Sequence, residues 1–386
     1  MNKYVKILTL LLSLLITATS TTYAGKGGKD DDGGSPPPPP TSGVDGFEGT
    51  WILPDKSTIP GGTEGEMIRY GKELLTNSYK TMGGGSDFMP PYTGNRLSCS
   101  NCHMDDGTAS YAGPWSVVAL KYADLGIYSS RTNEYRNRER RINGCMQRSM
   151  DGIPLPESGY EMQSIIAYFD WLATGMQVPT WQEVIGQGFL ALADLTRPAD
   201  PLRGKEIYTE KCEACHQADG GGVWNPDTEK YLYPAVFGQH SFNDGAGMYR
   251  LRTGVRFVYS NMPYGRADAA TAGALKDTSS LLSPEDAWDV MSYVVSQQRP
   301  IFANRETDWG LTPGPDGVPD WIKKRVDGDY PIYYPRTNFA DDICAPPDLN
   351  SPPLFSQPLH KYGPWTEMHA VQNQMKTDYK TLCLPK

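Results

Sequence analysis

The 386-residue chain is short of positive charge, of histidine and of long apolar runs. Thirty-six Lys and Arg stand against 45 Asp and Glu, giving a net charge of −9 with the five His neutral. No overall basic field exists to hold phosphates, which argues against a nucleic-acid partner. Beyond the first residues, no stretch approaches the apolar length that a bilayer span needs. Nor does any second Cys/His pair complete a zinc tetrahedron around either of the chain's C-x-x-C sequences.

The one long apolar run, Ile7 to Ile16, follows Lys3 and Lys6 and precedes Thr22-Tyr23-Ala24. That order is the layout of a secretory signal peptide over residues 1–24. No Cys follows the run, so no lipoprotein anchor is expected. Residues 25–46 read GKGGKDDDGGSPPPPPTSGVDG, a Gly-, Asp- and Pro-rich leader with nothing to bury. The mature chain is expected to be exported.

The most informative stretch is CSNCH, Cys99 to His103, which returns as CEACH, Cys212 to His216. Two thiols at this spacing can each add across one haem vinyl group, and the adjacent His can ligate the iron. The expected cofactors are two covalently bound haem c groups, attached through Cys99, Cys102, Cys212 and Cys215, with His103 and His216 as axial ligands. Attachment of haem c after export places the protein in the bacterial periplasm.

A faint repeat underlies the two motifs. IRYGKELL (Ile68 to Leu75) and LRGKEIY (Leu202 to Tyr208) share Gly-Lys-Glu and have apolar residues at helical spacing. A stretch from about Met82 to Gly94 reads as a loop inserted into the first copy. Each copy closes with a second helix. Glu157 to Ala173 carries Ile165, Ile166, Phe169 and Leu172 on one face. Ser283-Pro284-Glu285-Asp286 is a strong helix start, followed by a stripe of Ala287, Val290, Met291 and Val294. The expected fold is all-α, with two cytochrome c-like domains at 47–178 and 198–300 and an irregular C-terminal extension at 301–386 that wraps over them. PDGVPD and DGD, between Pro315 and Asp329, lack the ligand order of an EF-hand and predict no calcium site.

Each iron needs a further ligand or an open face. Met262 precedes Pro263 in a turn-like Asn-Met-Pro-Tyr-Gly, the usual setting for a haem thioether; Met248 and Met291 compete with it. The first copy has no downstream Met-Pro. Four of the seven Cys are committed to haem, leaving Cys145, Cys344 and Cys383. In an oxidising compartment, Cys344 and Cys383, both in the tail, are expected to pair. Cys145 then lies between the first haem motif and its closing helix, where an axial ligand would arise; Met146, Met150 and Met162 are rivals. Six Arg lie between Arg131 and Arg148 against two Glu. Such a cluster favours thiolate at Cys145 and makes a site for a small oxyanion, although some of these Arg belong on a solvated face.

LSCSNCH, RRINGCMQRSM leading to GIPLP, KCEACH, NMPYG and HKYGPW (His360 to Trp365) together resemble the dihaem thiosulfate dehydrogenases, from about residue 50 onward and in the same order. The resemblance implies a periplasmic enzyme that joins two thiosulfates into tetrathionate and passes two electrons to a soluble c-type cytochrome or similar acceptor. It implies His103 and Cys145 on a catalytic first haem, His216 and Met262 on a relay haem, and Arg131, Arg141 and Ser149 in the substrate pocket. Tetrathionate reduction at the same site, an electron-carrier cytochrome without catalysis, a dihaem peroxidase and a sulfur-carrier cytochrome are the competing functions.

Overall fold

The computed structural model describes residues 49–129, 131–265, 282–304 and 361–384, with the isolated positions 308, 315, 317–318 and 344. The signal peptide, the leader and most of the Asp-rich stretch near 316–329 lie outside the described residues.

Two helix pairs organise the chain. In the first, α1 (Gly62–Thr76) packs against a later helix, which is α3 (Tyr160–Ala173) once α2 (Arg138–Arg148) is counted between them. In the second, α4 (Pro201–Lys211) packs against α6 (Pro284–Ser296), with α5 (Leu251–Asn261) lying on α6 as well. The shared Gly-Lys-Glu marks both crossings. A Cβ at Gly71 would stand 1.9 Å from the Ser164 carbonyl oxygen of α3, and one at Gly204 would stand 1.9 Å from the Asp289 carbonyl oxygen of α6. Only glycine lets the paired backbones approach this closely.

The helix ends follow from local chemistry. Ser283 Oγ accepts from Asp286 N at 3.0 Å, with Pro284 in the first turn of α6. Asp200 caps α4 by accepting from Leu202 N at 2.8 Å. Asp289, fully buried on α6, accepts from Asp200 N at 2.8 Å and pairs with Arg197 at 2.7 Å and with Arg203. Burial alone would raise its carboxyl, but these donors hold it below its ordinary value. This cluster ties the start of α4 to the middle of α6.

The stripe of Ala287, Val290, Met291 and Val294 is buried, as are Ile165, Ile166, Phe169 and Leu172 on α3. The two pairs share one continuous apolar core. Two short hairpins interrupt the helical plan: β1 (Ile127–Ser129) with β2 (Glu134–Arg136), and β3 (Val223–Asn225) with β4 (Lys230–Tyr233). Their strands are three or four residues long, too short to show as alternation in the sequence.

The described part of the tail departs from the irregular segment expected. Trp365–Leu382 is an 18-residue helix, α7, with Met375 fully buried. Its Asn, Thr and His content masks a helix that is anchored by that buried contact and, at its end, by a Cys344–Cys383 disulfide. No described helix is long and apolar enough to cross a membrane.

Residues 241–250 lie across the end of α2 and join the halves. Asn243 Nδ2 donates to Gln147 O at 2.9 Å and to Asp151 Oδ1 at 2.8 Å, while its backbone N–H donates to Arg148 O at 3.2 Å. Asn95 Nδ2 spans the same seam, donating to Ser149 O at 2.8 Å and to Ser241 O at 3.0 Å.

Candidate active site

The two C-x-x-C-H motifs are built alike. Cys99–Asn101 forms a single 3-10 turn, closed by a reciprocal cap between Ser98 and Asn101. Glu213–His216 forms one helical turn straight after α4. His103 Nδ1 meets the Gly113 carbonyl oxygen at 2.5 Å, and His216 Nδ1 meets that of Pro234 at 2.8 Å. A carbonyl only accepts, so Nδ1 carries the proton in both rings. This is the tautomer that an iron ligand needs, held by an outer partner. Gly113 itself has φ +68, and a Cβ there would sit 3.3 Å from the His103 ring.

The thiols separate by environment. Burial pushes Cys99, Cys102 and Cys212 up to about 12, as expected of sulfur in apolar surroundings. At Cys145 burial pushes the same way, but the Arg141 guanidinium, with His103 adding to the pull, brings the thiol down to about 6. Arg141 Nη1 donates to Cys145 Sγ at 2.7 Å across one turn of α2, and its guanidinium lies 5.9 Å from the Tyr122 ring centroid. Cys145 in turn acts on both Cys99 and Cys102, so the four sulfur and imidazole groups of this half face one another. Two thiols, and an imidazole that meets a third thiol drawn toward thiolate, suit a covalently held haem. Buried guanidinium nitrogens without partners, Nε of Arg148, Arg250 and Arg299, suit its carboxylates or other anions.

The rival methionines are core residues. Met146, Met150 and Met162 are all at most 2 % exposed. Met291 packs so closely on α5 that its Cε lies 2.5 Å from where a Cβ at Gly254 would be. Met262 ends α5 and packs with Phe257 against Ala112 and Met104, the residue after His103. Met248 touches the same cluster.

A band of guanidinium groups runs away from Cys145. Arg136 lies beside Arg141 and Arg148, and Arg131 beside Arg148 and Arg250. Burial and these like charges push Arg131 well below its ordinary value, and Arg136 down to about 10. The first hairpin sets both positions: Arg131 sits in its turn and Arg136 ends β2. Asp308, from the tail, enters this band, 2.5 Å from Arg148 and 3.6 Å from Arg131. Ser149 closes α2 one turn after Cys145, its N–H capping the Cys145 carbonyl. Arg138 and Arg140 face outward, Arg138 against Asp170 at 2.6 Å.

Sequence reasoning did not find Arg250, Asp308 or the Gly113 and Pro234 carbonyls. Arg250 lies about a hundred residues from the Arg cluster, and Asp308 in a segment without periodicity. Gly113-Pro114, a turn signal ten residues after His103, is the one trace of these partners in the sequence.

Residues 202–298 match the cytochrome c family model, which indicates covalently bound c-type haem. A thiosulfate dehydrogenase of Psychrobacter arcticus is 35% identical over 266 residues, covering 69% of this chain and 73% of that one. One from Allochromatium vinosum is 34% identical over 254 residues, covering 65% of this chain and 84% of that one. Among solved structures, a thiosulfate dehydrogenase of Marichromatium purpuratum in its as-isolated form superposes with a TM-score of 0.56 at 28% identity over 65% of this chain. This chain spans half the length of that solved chain. With its paired haem-attachment motifs and a Cys145 drawn toward thiolate, the chain belongs to the thiosulfate dehydrogenase family.

Proposed function

We propose that the protein oxidises thiosulfate in the periplasm, joining two molecules into tetrathionate and passing two electrons through two c-type haems to an external c-type cytochrome. His103 and Cys145 hold the first haem, attached at Cys99 and Cys102; His216 and Met262 hold the second, attached at Cys212 and Cys215. The observation that carries this is the 2.7 Å contact of Arg141 Nη1 with Cys145 Sγ in a buried, guanidinium-rich setting.

The chemistry asks for what these residues supply. Two thiosulfate dianions about 4 Å apart repel by roughly 16 kcal/mol at an effective dielectric of 20. Fixed positive charge must offset this, and in this reading Arg131 and Arg141 supply it. Ser149 adds a hydroxyl donor. Cys145 thiolate and one thiosulfate bring three negative charges; forming a sulfur–sulfur bond between them leaves one and releases two electrons. Each bound haem supplies a one-electron acceptor. The second thiosulfate then attacks the outer sulfur on Cys145, tetrathionate departs with two negative charges, and Cys145 returns to thiolate. The cycle balances as two thiosulfates to one tetrathionate and two electrons.

Purified haem-loaded protein, mixed with thiosulfate and a one-electron acceptor, should consume one thiosulfate per acceptor reduced and form half an equivalent of tetrathionate. Acceptor reduction with sulfite or sulfate as the product would defeat the proposal.

A further inference from the structure

The guanidinium band has more positive charge than one substrate end requires, and its charges are unevenly matched. Arg141 is committed to the Cys145 sulfur at 2.7 Å. Arg148 is committed to Asp308 at 2.5 Å, both groups being buried. Arg136 has Glu134 within 3.8 Å. Among the described residues, two groups have no counter-charge of their own. Arg131 reaches Asp308 only at 3.6 Å, on the carboxylate already held by Arg148, and otherwise donates to the Gly245 carbonyl at 3.1 Å. Arg250 has a buried Nε with no hydrogen-bond partner. These two are neighbours, and Arg250 is the foremost like charge acting on Arg131.

They also come from different halves of the molecule. Arg131 lies in the turn of the first hairpin. Arg250 caps the start of α5, five residues after the Gly245 carbonyl that tethers Arg131. Asn243, at the head of the same segment, is fixed to Gln147, Arg148 and Asp151 at the end of α2. The seam between the halves therefore holds two adjacent guanidinium groups that repel unless an anion lies between them. A sulfonate, with three equivalent oxygens and a full charge, can accept from two guanidinium forks at once.

We propose that Arg250 pairs with Arg131 to bind the sulfonate end of the second thiosulfate, so that the substrate site is shared between the two halves of the chain. This rests on the thiosulfate reading above. The product has a sulfonate at each end, and one arginine pair beside Cys145 cannot hold both. Arg141 and Ser149 serve the end nearer the Cys145 sulfur, and Arg131 with Arg250 the end farther from it. The second helical half is then a component of the substrate site as well as a carrier of its own haem motif. A carboxylate of the first haem is the competing anion for Arg250.

The test uses haem-loaded Arg250→Gln and Arg250→Lys beside the unaltered protein. Three quantities are read: the thiosulfate KM and kcat, the tetrathionate dissociation constant by calorimetry, and the midpoint potentials of the haems. Losing a charge-assisted contact should raise the KM and weaken tetrathionate by about 10- to 100-fold in Arg250→Gln. Arg250→Lys should recover part of both, and haem content and potentials should stay as they were. Unchanged KM and tetrathionate affinity in both variants would overturn the proposal. So would a shifted haem potential with unchanged tetrathionate affinity, which would assign Arg250 to a haem carboxylate. If Arg250→Gln fails to load haem, Arg250→Lys carries the same test. An unaltered protein that neither oxidises thiosulfate nor binds tetrathionate would sink the thiosulfate reading and this inference with it, whereas an active protein with indifferent variants sinks the inference alone.

Discussion

Arg141 Nη1 donates to Cys145 Sγ at 2.7 Å across one turn of the same helix, Arg138–Arg148. The i, i+4 spacing places the two side chains on one face. Burial favours the neutral thiol, and the guanidinium reverses that preference, bringing Cys145 down to about 6.

Without the guanidinium, burial alone acts on the Cys145 thiol and favours its neutral form. Arg141→Ala is expected to lower thiosulfate turnover by about 10- to 100-fold, from the loss of one charge-assisted hydrogen bond. Steady-state reduction of an artificial acceptor measures it. Arg141→Lys should recover only part, because a point charge on a flexible stem does not reproduce the fork. Full activity in Arg141→Ala would detach the guanidinium from the chemistry.

The helix crossing at Gly204 predicts a stability effect with no change in chemistry. A methyl group there would lie 1.9 Å from the Asp289 carbonyl oxygen, so α4 must move off α6. Gly204→Ala should destabilise the protein by roughly 1–3 kcal/mol, as overpacking does. Denaturant unfolding followed by circular dichroism reads the loss, and an unchanged midpoint would mean that the helices slide apart without cost.

Gly204 also shows what the sequence can convey. The Gly-Lys-Glu shared by Gly71 and Gly204 announces two related helices, and each Gly proves to lie at a backbone crossing. The Ser283 cap and the apolar stripe of α6 were legible because capping and helical periodicity are local. Arg250 and Asp308 were not, since they reach the guanidinium band through packing between segments far apart in the chain. The helix of the tail was hidden for a related reason: its anchors, buried Met375 and the Cys344–Cys383 bridge, are tertiary.

Lys361 predicts a pH dependence. It is buried against the Tyr249 and Tyr362 rings near Arg299, and burial, with that like charge, lowers it to about 8. Its unfolded value is about 10.4, so between the two the unfolded chain binds more protons and stability rises with pH. Lys361→Met should be more stable than the unaltered protein below pH ~8 by up to roughly 3 kcal/mol, and this advantage should close by pH ~10. Unfolding both proteins at either end of that window tests it; a gap that does not change with pH contradicts it.

Met262 ends α5 and packs on Met104, the residue after His103; on the function proposed above it is a ligand of the relay haem. Met262→Ala should abolish the thioether-to-iron band of the oxidised spectrum and lower the potential of that haem, because Met ligation raises it. Tetrathionate binding at the Cys145 site should persist. An unaltered band would transfer the role to Met248, which touches the same cluster.

The most direct test is Cys145→Ala. In the function proposed above haem attachment uses Cys99, Cys102, Cys212 and Cys215, and the core around Met146 and Ile142 keeps its contacts, so the variant should fold with its haem content unchanged. Thiosulfate-dependent acceptor reduction should fall to background, since the iron-ligating thiolate and the sulfur that accepts the first thiosulfate are lost together. Turnover near the normal rate in a fully haem-loaded Cys145→Ala protein would contradict the account.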